Sequence, residues 1–308
     1  MPLARFPKFV FTNDEVLSVA AEVAHFGQNP LKDMVPEWKV FNQNGEMLAN
    51  DKLPQSDIGF GNGSLGNISL PLDFVKEAGQ FKLELSFGTH TNDWDFWVYP
   101  ADLPETDVTD ILVTDTLDEA AIALLEKGGK VLLLGAGKVE KGKDVVQYFR
   151  PVFWNTSWFQ MRPPHTLGIL TKPDHPALAE FPTEFHSNLQ WWELLHNQQV
   201  MNLDNFPKDF KAIVQPIDTW YVNRKLGLIF EAKVGEGRLL VCSADLDSDL
   251  DKRIVARQMR HSLLNYMQTD AFDPAFAVSA EIVTEIFTEG DYDLYDVHTA
   301  GSPMDLIP

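Results

Sequence analysis

The first hundred residues alternate. In Phe81-Lys-Leu-Glu-Leu-Ser-Phe87 every second position is apolar, the period of a strand with one buried face. Leu17, Val19, Ala21 and Val23 repeat the pattern, as do Ile68, Leu70 and Leu72. Trp38-Lys-Val-Phe41 runs into Asn44-Gly45, two residues that tolerate positive φ and so predict a hairpin turn. Trp94-Asp-Phe-Trp-Val-Tyr99 closes the region just before Pro100. Short strands at this spacing, with no helical stretch between them, predict an immunoglobulin-like antiparallel β-sandwich over residues 1–100.

After a proline-bounded linker at 101–104 the pattern changes. Asp110-Ile-Leu-Val-Thr114 and Lys130-Val-Leu-Leu-Leu134 are continuous apolar runs, which suit strands buried on both faces. Between them Thr116 and Glu119 stand at capping-box spacing, and Ala120, Ile122, Ala123 and Leu125 lead to a stop at Gly128-Gly129. This is a βαβ unit, and it predicts a parallel sheet covered on both faces. Ala212-Ile-Val214, Leu226–Phe230 and Arg238–Cys242 supply further strands. Ser248 with Asp251 suits the start of a helix with the stripe Val255, Met259, Leu263 and Met267. The expected α/β domain covers 105–273, and an acidic C-terminal helix and tail follow over 274–308. Residues 150–207, rich in Trp, Pro and His, fit no regular pattern.

Charge narrows the partners. The chain of 308 residues carries 25 Lys and Arg against 45 Asp and Glu, a net charge of -20. Such a field repels phosphate backbones and anionic lipid, so neither nucleic acid nor a membrane surface is an expected partner. No apolar run approaches the roughly 20 residues needed to span a bilayer, so no membrane insertion is expected. The first residues show no signal peptide, which by itself suggests a cytoplasmic protein unless the chain is cut from a longer exported one. With Cys242 as its one cysteine the chain forms no internal disulfide and no Cys-based zinc cage.

The candidate motifs each meet a plainer explanation. Gly61-Asn-Gly-Ser-Leu-Gly66 spells a dinucleotide fingerprint but lies among β-strands, where a glycine-rich loop is expected instead. Gly135-Ala-Gly137 does follow an α/β strand and has Lys138, Lys141 and Lys143 nearby, yet Glu140 stands where the third glycine belongs. Cys242 ends a strand, but Leu240-Val-Cys-Ser-Ala244 offers no glycine for a nucleophile elbow. Asp245, Asp247, Asp249 and Asp251 alternate like calcium ligands, with Leu250 and Ala256 at the offsets that require Gly and Glu. His165, His175, His186 and His196 are too widely spaced to predict a metal site. No metal and no cofactor is expected. Six aromatic residues could lie flat against the C–H face of a sugar ring: Trp154, Trp158, Trp191, Trp192, Trp220 and Tyr221; the competing expectation is that they fill a core.

Gly88–Pro100, Phe153-Trp-Asn155, Thr166–Leu170, His175–Leu178, Phe181–His186, Gln190-Trp-Trp192, Leu226–Glu231 and Val234–Ser243 occur in an order that resembles one family. It is the C-terminal accessory region of large bacterial family-two, β-galactosidase-like glycoside hydrolases. The resemblance implies a β-sandwich followed by a flavodoxin-like domain similar to class I glutamine amidotransferases. It also implies a periplasmic or extracellular parent. That family keeps its catalytic acids in a separate barrel, where the acid/base glutamate follows an asparagine. This chain has no Asn-Glu dipeptide, so those residues have nothing to map onto.

The expected function is therefore a non-catalytic accessory module of a carbohydrate-degrading enzyme, with no catalytic residues of its own. Its partners would be the parent's catalytic domain or a glycan, and it could form a homo-oligomer. One alternative is an autonomous hydrolase with its site at the C-terminal ends of the parallel strands, using Arg162, His165, Glu184 and His186. Another is an interaction protein with no sugar ligand.

Overall fold

A computed structural model describes residues 1–149, 166–219 and 222–292. They fall into two compact units, the first made of Met1–Pro104 with Glu180–Pro182 and the second of the remainder.

The first unit is all β. Its strands are β1 Pro2–Arg5, β2 Val10–Thr12, β3 Val16–His25, β4 Leu31–Met34, β5 Glu37–Asn42, β6 Met47–Lys52, β7 Ser56–Ile58, β8 Gly61–Pro71, β9 Gly79–Phe87 and β10 His90–Tyr99. One sheet has the order β1-β3-β8 and a second β2-β10-β9-β5-β6, while β4 and β7 pair separately. The alternation read from the sequence supplies the core between the two larger sheets. Leu17, Val19, Ala21 and Val23 of β3 meet Val40 of β5, Leu83 and Leu85 of β9, and Phe96 and Val98 of β10 in one buried cluster. Asn44-Gly45 forms the β5–β6 turn with Gly45 at φ 77°.

The sequence Gly61–Gly66 is not a loop but the first half of β8, paired with β3. Ala21 faces Gly66 and Glu22 faces Ser64, so Leu65 is the extra residue of a bulge. Gly66 takes φ 118°, which a side chain rarely adopts. The bulge resets the register, and Leu65 and Ile68 both reach the core although they are three positions apart.

The second unit is built on a six-stranded sheet. Its strands are β11 Ile111–Thr114, β12 Lys130–Leu134, β13 Val146–Gln147, β14 Thr166–Thr171, β15 Gln198–Gln199, β16 Met201–Asn202, β17 Val214–Asp218, β18 Leu226–Gly227, β19 Ile229–Val234 and β20 Gly237–Cys242. The helices are α1 Glu119–Glu126, α2 Trp192–Leu195, α3 Ile254–Gln268 and α4 Ala280–Ile286. The sheet order is β11-β12-β20-β19-β17-β14. Only the β11-β12-β20 half is parallel; β19, β17 and β14 each run antiparallel to the preceding strand. The departure from an all-parallel sheet has a local cause. Val234 pairs with Gly237 across a tight turn, so β19 and β20 form a hairpin rather than a crossover. Gly235 at φ 58° and the close approach of Gly237 to the Leu125 backbone fix that turn under α1.

Both faces of this sheet are covered. Val131, Leu133, Leu239, Val241, Phe230 and Ala232 share a core with Ala121 and Leu125 of α1 and Val283 and Ile286 of α4. The alternate residues of the same strands point the other way. On that side the Tyr266 hydroxyl of α3 donates to Glu231 of β19 at 2.7 Å. The cap of α1 is Asp118, whose carboxylate accepts the Ala121 amide at 2.9 Å. Thr116 instead donates its hydroxyl to Asp115.

Candidate functional site

In α/β sheets a ligand usually sits outside the carboxyl ends of the parallel strands. Here those ends are occupied by the protein's own chain. The Ser243 hydroxyl, just beyond β20, donates to the Gln199 carbonyl at 2.9 Å, and the Asp245 amide donates to Gln198 Oε1 at 3.2 Å. The Gln199 side chain accepts the Val139 amide beyond β12 at 3.2 Å, and β15 pairs with β13. A Cβ on Gly142 would fall 2.5 Å from the Val200 carbonyl, so the two crossing segments are in direct contact.

The anion-binding features near β12 are spent on internal contacts. A Cβ on Gly135 would lie 2.3 Å from the Phe287 ring, which packs on the turn. Lys138 pairs with Asp115 at 2.6 Å, Lys141 with Glu285 at 2.7 Å and Lys143 with Glu140 at 2.8 Å. Cys242 is fully buried, and that burial pushes its thiol up to about 12, so it carries no thiolate at neutral pH.

Two pairs of carboxylates converge, each on an arginine. Arg224 lies between Asp144, 2.5 Å from Nη1, and Asp218, 2.9 Å from Nε. Burial works against the charged guanidinium, but the hydrogen bonds to Asp218 and Asp144 hold it above its ordinary value. Arg253 lies between Asp245, 2.9 Å from Nη1, and Glu193, 3.4 Å from Nε. Burial raises the Glu193 carboxyl. It also works to raise Asp245, but the amides of Ser248 and Asp247 hold that group below its ordinary value. Such opposed shifts mark acid and base pairs in enzymes. Here each carboxylate has a structural partner instead. Glu193 caps α3 through the Ala256 amide, and Asp245 closes the turn before it. Asp245 and Asp247 bind Arg253 and Arg260 respectively. Among the described residues no group of three His, Cys, Asp or Glu is placed to hold a metal ion.

The aromatic candidates separate. Trp154, Trp158, Trp220 and Tyr221 lie outside the described residues, as do Arg162 and His165 of the alternative site. Trp191 is a core residue: it is fully buried and its indole Nε1 donates to the Thr183 hydroxyl at 2.8 Å. Trp192, the first residue of α2, is 52% exposed. One turn later the His196 ring lies parallel to it, with centroids 5.3 Å apart and an interplanar angle of 12°. His196 is braced in turn by an edge contact with Tyr148. Helical i,i+4 spacing thus holds the indole on a fixed support while leaving it accessible.

Glu184 and His186 lie beside the edge strand β14, where Leu170 bridges to His186. His186 Nε2 lies 3.9 Å from a Glu184 carboxylate oxygen, and Glu184 also accepts from the Asn188 side-chain amide at 2.9 Å. Phe185 between them is exposed and packs edge-on against the His186 ring. Sequence reading missed a further polar group under α3, where Glu231 joins the Tyr266 hydroxyl to His175, 3.6 Å away. Its three members are separated by long stretches of chain, and no spacing rule links them.

Among the described residues, no helix is long and apolar enough to cross a membrane. No curated protein matches the chain. Solved structures with partial likeness include Pseudomonas fluorescens alkylpurine DNA glycosylase AlkC bound to DNA containing an abasic site analog. That match has 11% identity and a TM-score of 0.27, over 32% of this chain and 29% of that one. Parabacteroides merdae β-glucuronidase matches at 9% identity and a TM-score of 0.23, over 45% and 21%. Cycloisomaltooligosaccharide glucanotransferase from Paenibacillus sp., complexed with cycloisomaltoheptaose, matches at 7% identity and a TM-score of 0.26, over 48% and 21%. The chain spans less than a third of each of these three proteins. Residues 15–100 match the family described as Domain of unknown function (DUF8488). Residues 112–288, more than half of the 308, match a second family, and the chain belongs to it: Domain of unknown function (DUF8487).

Proposed function

We propose that the chain is a non-catalytic accessory module of a carbohydrate-degrading glycoside hydrolase, and that it touches glycan through Trp192. The observation that carries this reading is the exposed indole held parallel to His196. A large flat apolar surface kept exposed to water, at the hydrophobic cost of hydrating it, suits a pyranose ring, whose C–H face stacks on aromatic rings. The carboxylate pairs support the non-catalytic part, because each is bridged by an arginine and used in packing. On this proposal the second unit is a modified flavodoxin-like domain of amidotransferase-like origin. What favours that reading is the parallel run β11-β12-β20 and the position of Cys242 at the end of β20. The module would serve a catalytic domain in the periplasm or outside the cell.

The test combines hydrolysis and binding. The purified chain is assayed on a panel of aryl-glycosides and polysaccharides, and its mobility is measured in gels containing those polysaccharides. The expected outcome is no turnover, with retardation that Trp192→Ala weakens and that Trp192→Phe partly restores. Turnover abolished by a single Asp or Glu substitution would overturn the proposal, as would retardation indifferent to Trp192.

A further inference from the structure

We infer a second glycan contact, specific for neutral sugar chains, on the first unit at the open end of the β3–β8 pair. The last residues paired there are His25 and Gly61, and Phe26 and Phe60 stand immediately outside them. Phe26 is 79% exposed and Phe60 61%. The Phe60 ring is not loose. It lies parallel to the His25 imidazole at 6.0 Å and 8°. That imidazole is itself fixed, with Nε2 2.8 Å from the Asn29 carbonyl and its Cε1 where a Cβ on Gly27 would meet it at 2.8 Å. Gly27 therefore admits the histidine, and the histidine supports one face of the phenylalanine. Gly59 and Gly61 flank Phe60, and a Cβ on either would meet no atom within 4 Å.

The chemistry around the two rings selects the occupant. Residues 25–31 and 58–67 contain no Asp, Glu, Lys or Arg, in a chain that carries 45 acidic and 25 basic residues. Their polar groups are instead Gln28, Asn29, Asn62, Ser64 and Asn67, side chains that both donate and accept hydrogen bonds. Of the charges on β4 and β7, Lys32 and Asp57 pair with each other at 2.7 Å, and the Asp33 carboxylate accepts the Gln55 side-chain amide at 2.8 Å; beside β3 the Met1 ammonium donates to the Ala24 carbonyl at 2.7 Å. A cationic partner finds no acidic side chain in either stretch, and an anionic one meets the field of a chain of net charge -20. A neutral polysaccharide matches on both counts: its ring C–H faces suit the phenylalanines and its hydroxyls suit the amides. This site is independent of Trp192, which lies in the other unit.

The experiment is affinity electrophoresis of the full chain in neutral polysaccharides (glucans, galactans, mannans) and in anionic polygalacturonate. It compares wild type, Phe26→Ala/Phe60→Ala and Trp192→Ala, with thermal midpoints as a check on folding. Both phenylalanines are exposed, so the double variant should fold normally. The expected result is retardation by a neutral chain that Trp192→Ala reduces but does not abolish, and that weakens about tenfold or more in the double variant. A Phe26→Trp/Phe60→Trp variant should restore it. Retardation by polygalacturonate alone, none by any neutral chain, or an unchanged double variant would overturn the inference. Loss of self-association in the double variant, seen by sedimentation, would also overturn it by making the patch a contact between copies. Because the Trp192 variant is read separately, failure at one site leaves the other distinguishable.

Discussion

Glu193 and Ala256 are 63 residues apart and share a hydrogen bond, the Glu193 carboxylate accepting the Ala256 amide at 3.1 Å. Helix α3 begins after Arg253 with no cap from its own flanking side chains. The sequence around it points to Ser248 and Asp251, yet the acceptor arrives from α2. A carboxylate at this position satisfies an orphan amide and faces the positive end of the helix.

Replacing Glu193 separates its two effects. Glu193→Ala leaves the Ala256 amide without its acceptor and should cost about 1–2 kcal/mol in urea unfolding. Glu193→Gln keeps an oxygen for that amide and removes the buried charge. Burial raises the Glu193 carboxyl above its ordinary value of 4.5, so the folded state holds the proton more tightly than the unfolded state does. The contribution is therefore present below 4.5 and lost as pH rises through the folded value. The Gln variant should gain on wild type as pH rises through that window and match it below. Equal midpoints for the Ala and Gln variants at every pH would show that the cap contributes nothing.

Arg224 should be among the most sensitive positions of the second unit. Its side chain and those of Asp144 and Asp218 are nearly buried, and Asp218 also accepts the Arg224 and Thr219 amides. Arg224→Met removes the charge between two nearly buried carboxylates and should cost about 3–5 kcal/mol. Adding Asp144→Asn and Asp218→Asn to it should recover a good part of that loss. A single variant within measurement error of wild type would show that the buried ions are already neutralised elsewhere.

The legible parts of this chain are those whose cause is local. Alternation placed Leu17, Val19, Ala21 and Val23 on one face of β3, and the continuous run Lys130–Leu134 marked a strand covered on both sides. The hairpin between β19 and β20 was also written locally, in Val234-Gly-Glu-Gly237, but a βαβ expectation passed over it. Glycines hid the opposite error at Gly61–Gly66, where a bulged strand resembles a loop in composition. The candidate sites were less legible. Trp191 and Trp192 are adjacent and chemically identical, and only the helical turn decides that one is core and the other faces water. The arginine-bridged pairs and the His25–Phe60 stack depend on tertiary contacts that no spacing encodes.

Cys242 should be chemically silent in the folded protein. Burial pushes its thiol up to about 12, and its sulfur is within 3.5 Å of the Ala244 carbonyl. At pH 8 labelling by a maleimide should proceed only at the rate of unfolding, whereas the denatured chain should react at once. Cys242→Ala should leave glycan retardation unchanged. Rapid labelling of the native protein would instead mean that the end of β20 opens to solvent.

Acid should unfold the chain through identifiable ion pairs. The Lys141 ammonium beside Glu285, with help from the Asn205 amide, holds that carboxyl below its ordinary 4.5. Asp245 stays low against its own burial because the amides of Ser248 and Asp247 bind its ionised form. For Glu15 burial again opposes the shift, but Lys8 and the Thr12 amide prevail. Each group releases its proton more readily folded than unfolded. Its contribution is therefore complete above the ordinary carboxylate range and disappears as pH falls through the depressed folded value. Urea midpoints should be flat from pH 7 to pH 5 as far as these groups go, then fall steeply toward pH 3. Glu285→Gln, which joins α4 to Lys141 without a charge, should lower stability at pH 7 by no more than about 1 kcal/mol, since Glu285 is partly exposed. The same variant should lose less than wild type between pH 5 and pH 3. If its midpoint falls in parallel with wild type, the Lys141–Glu285 pair has no part in acid unfolding and the dependence resides in Asp245 and Glu15.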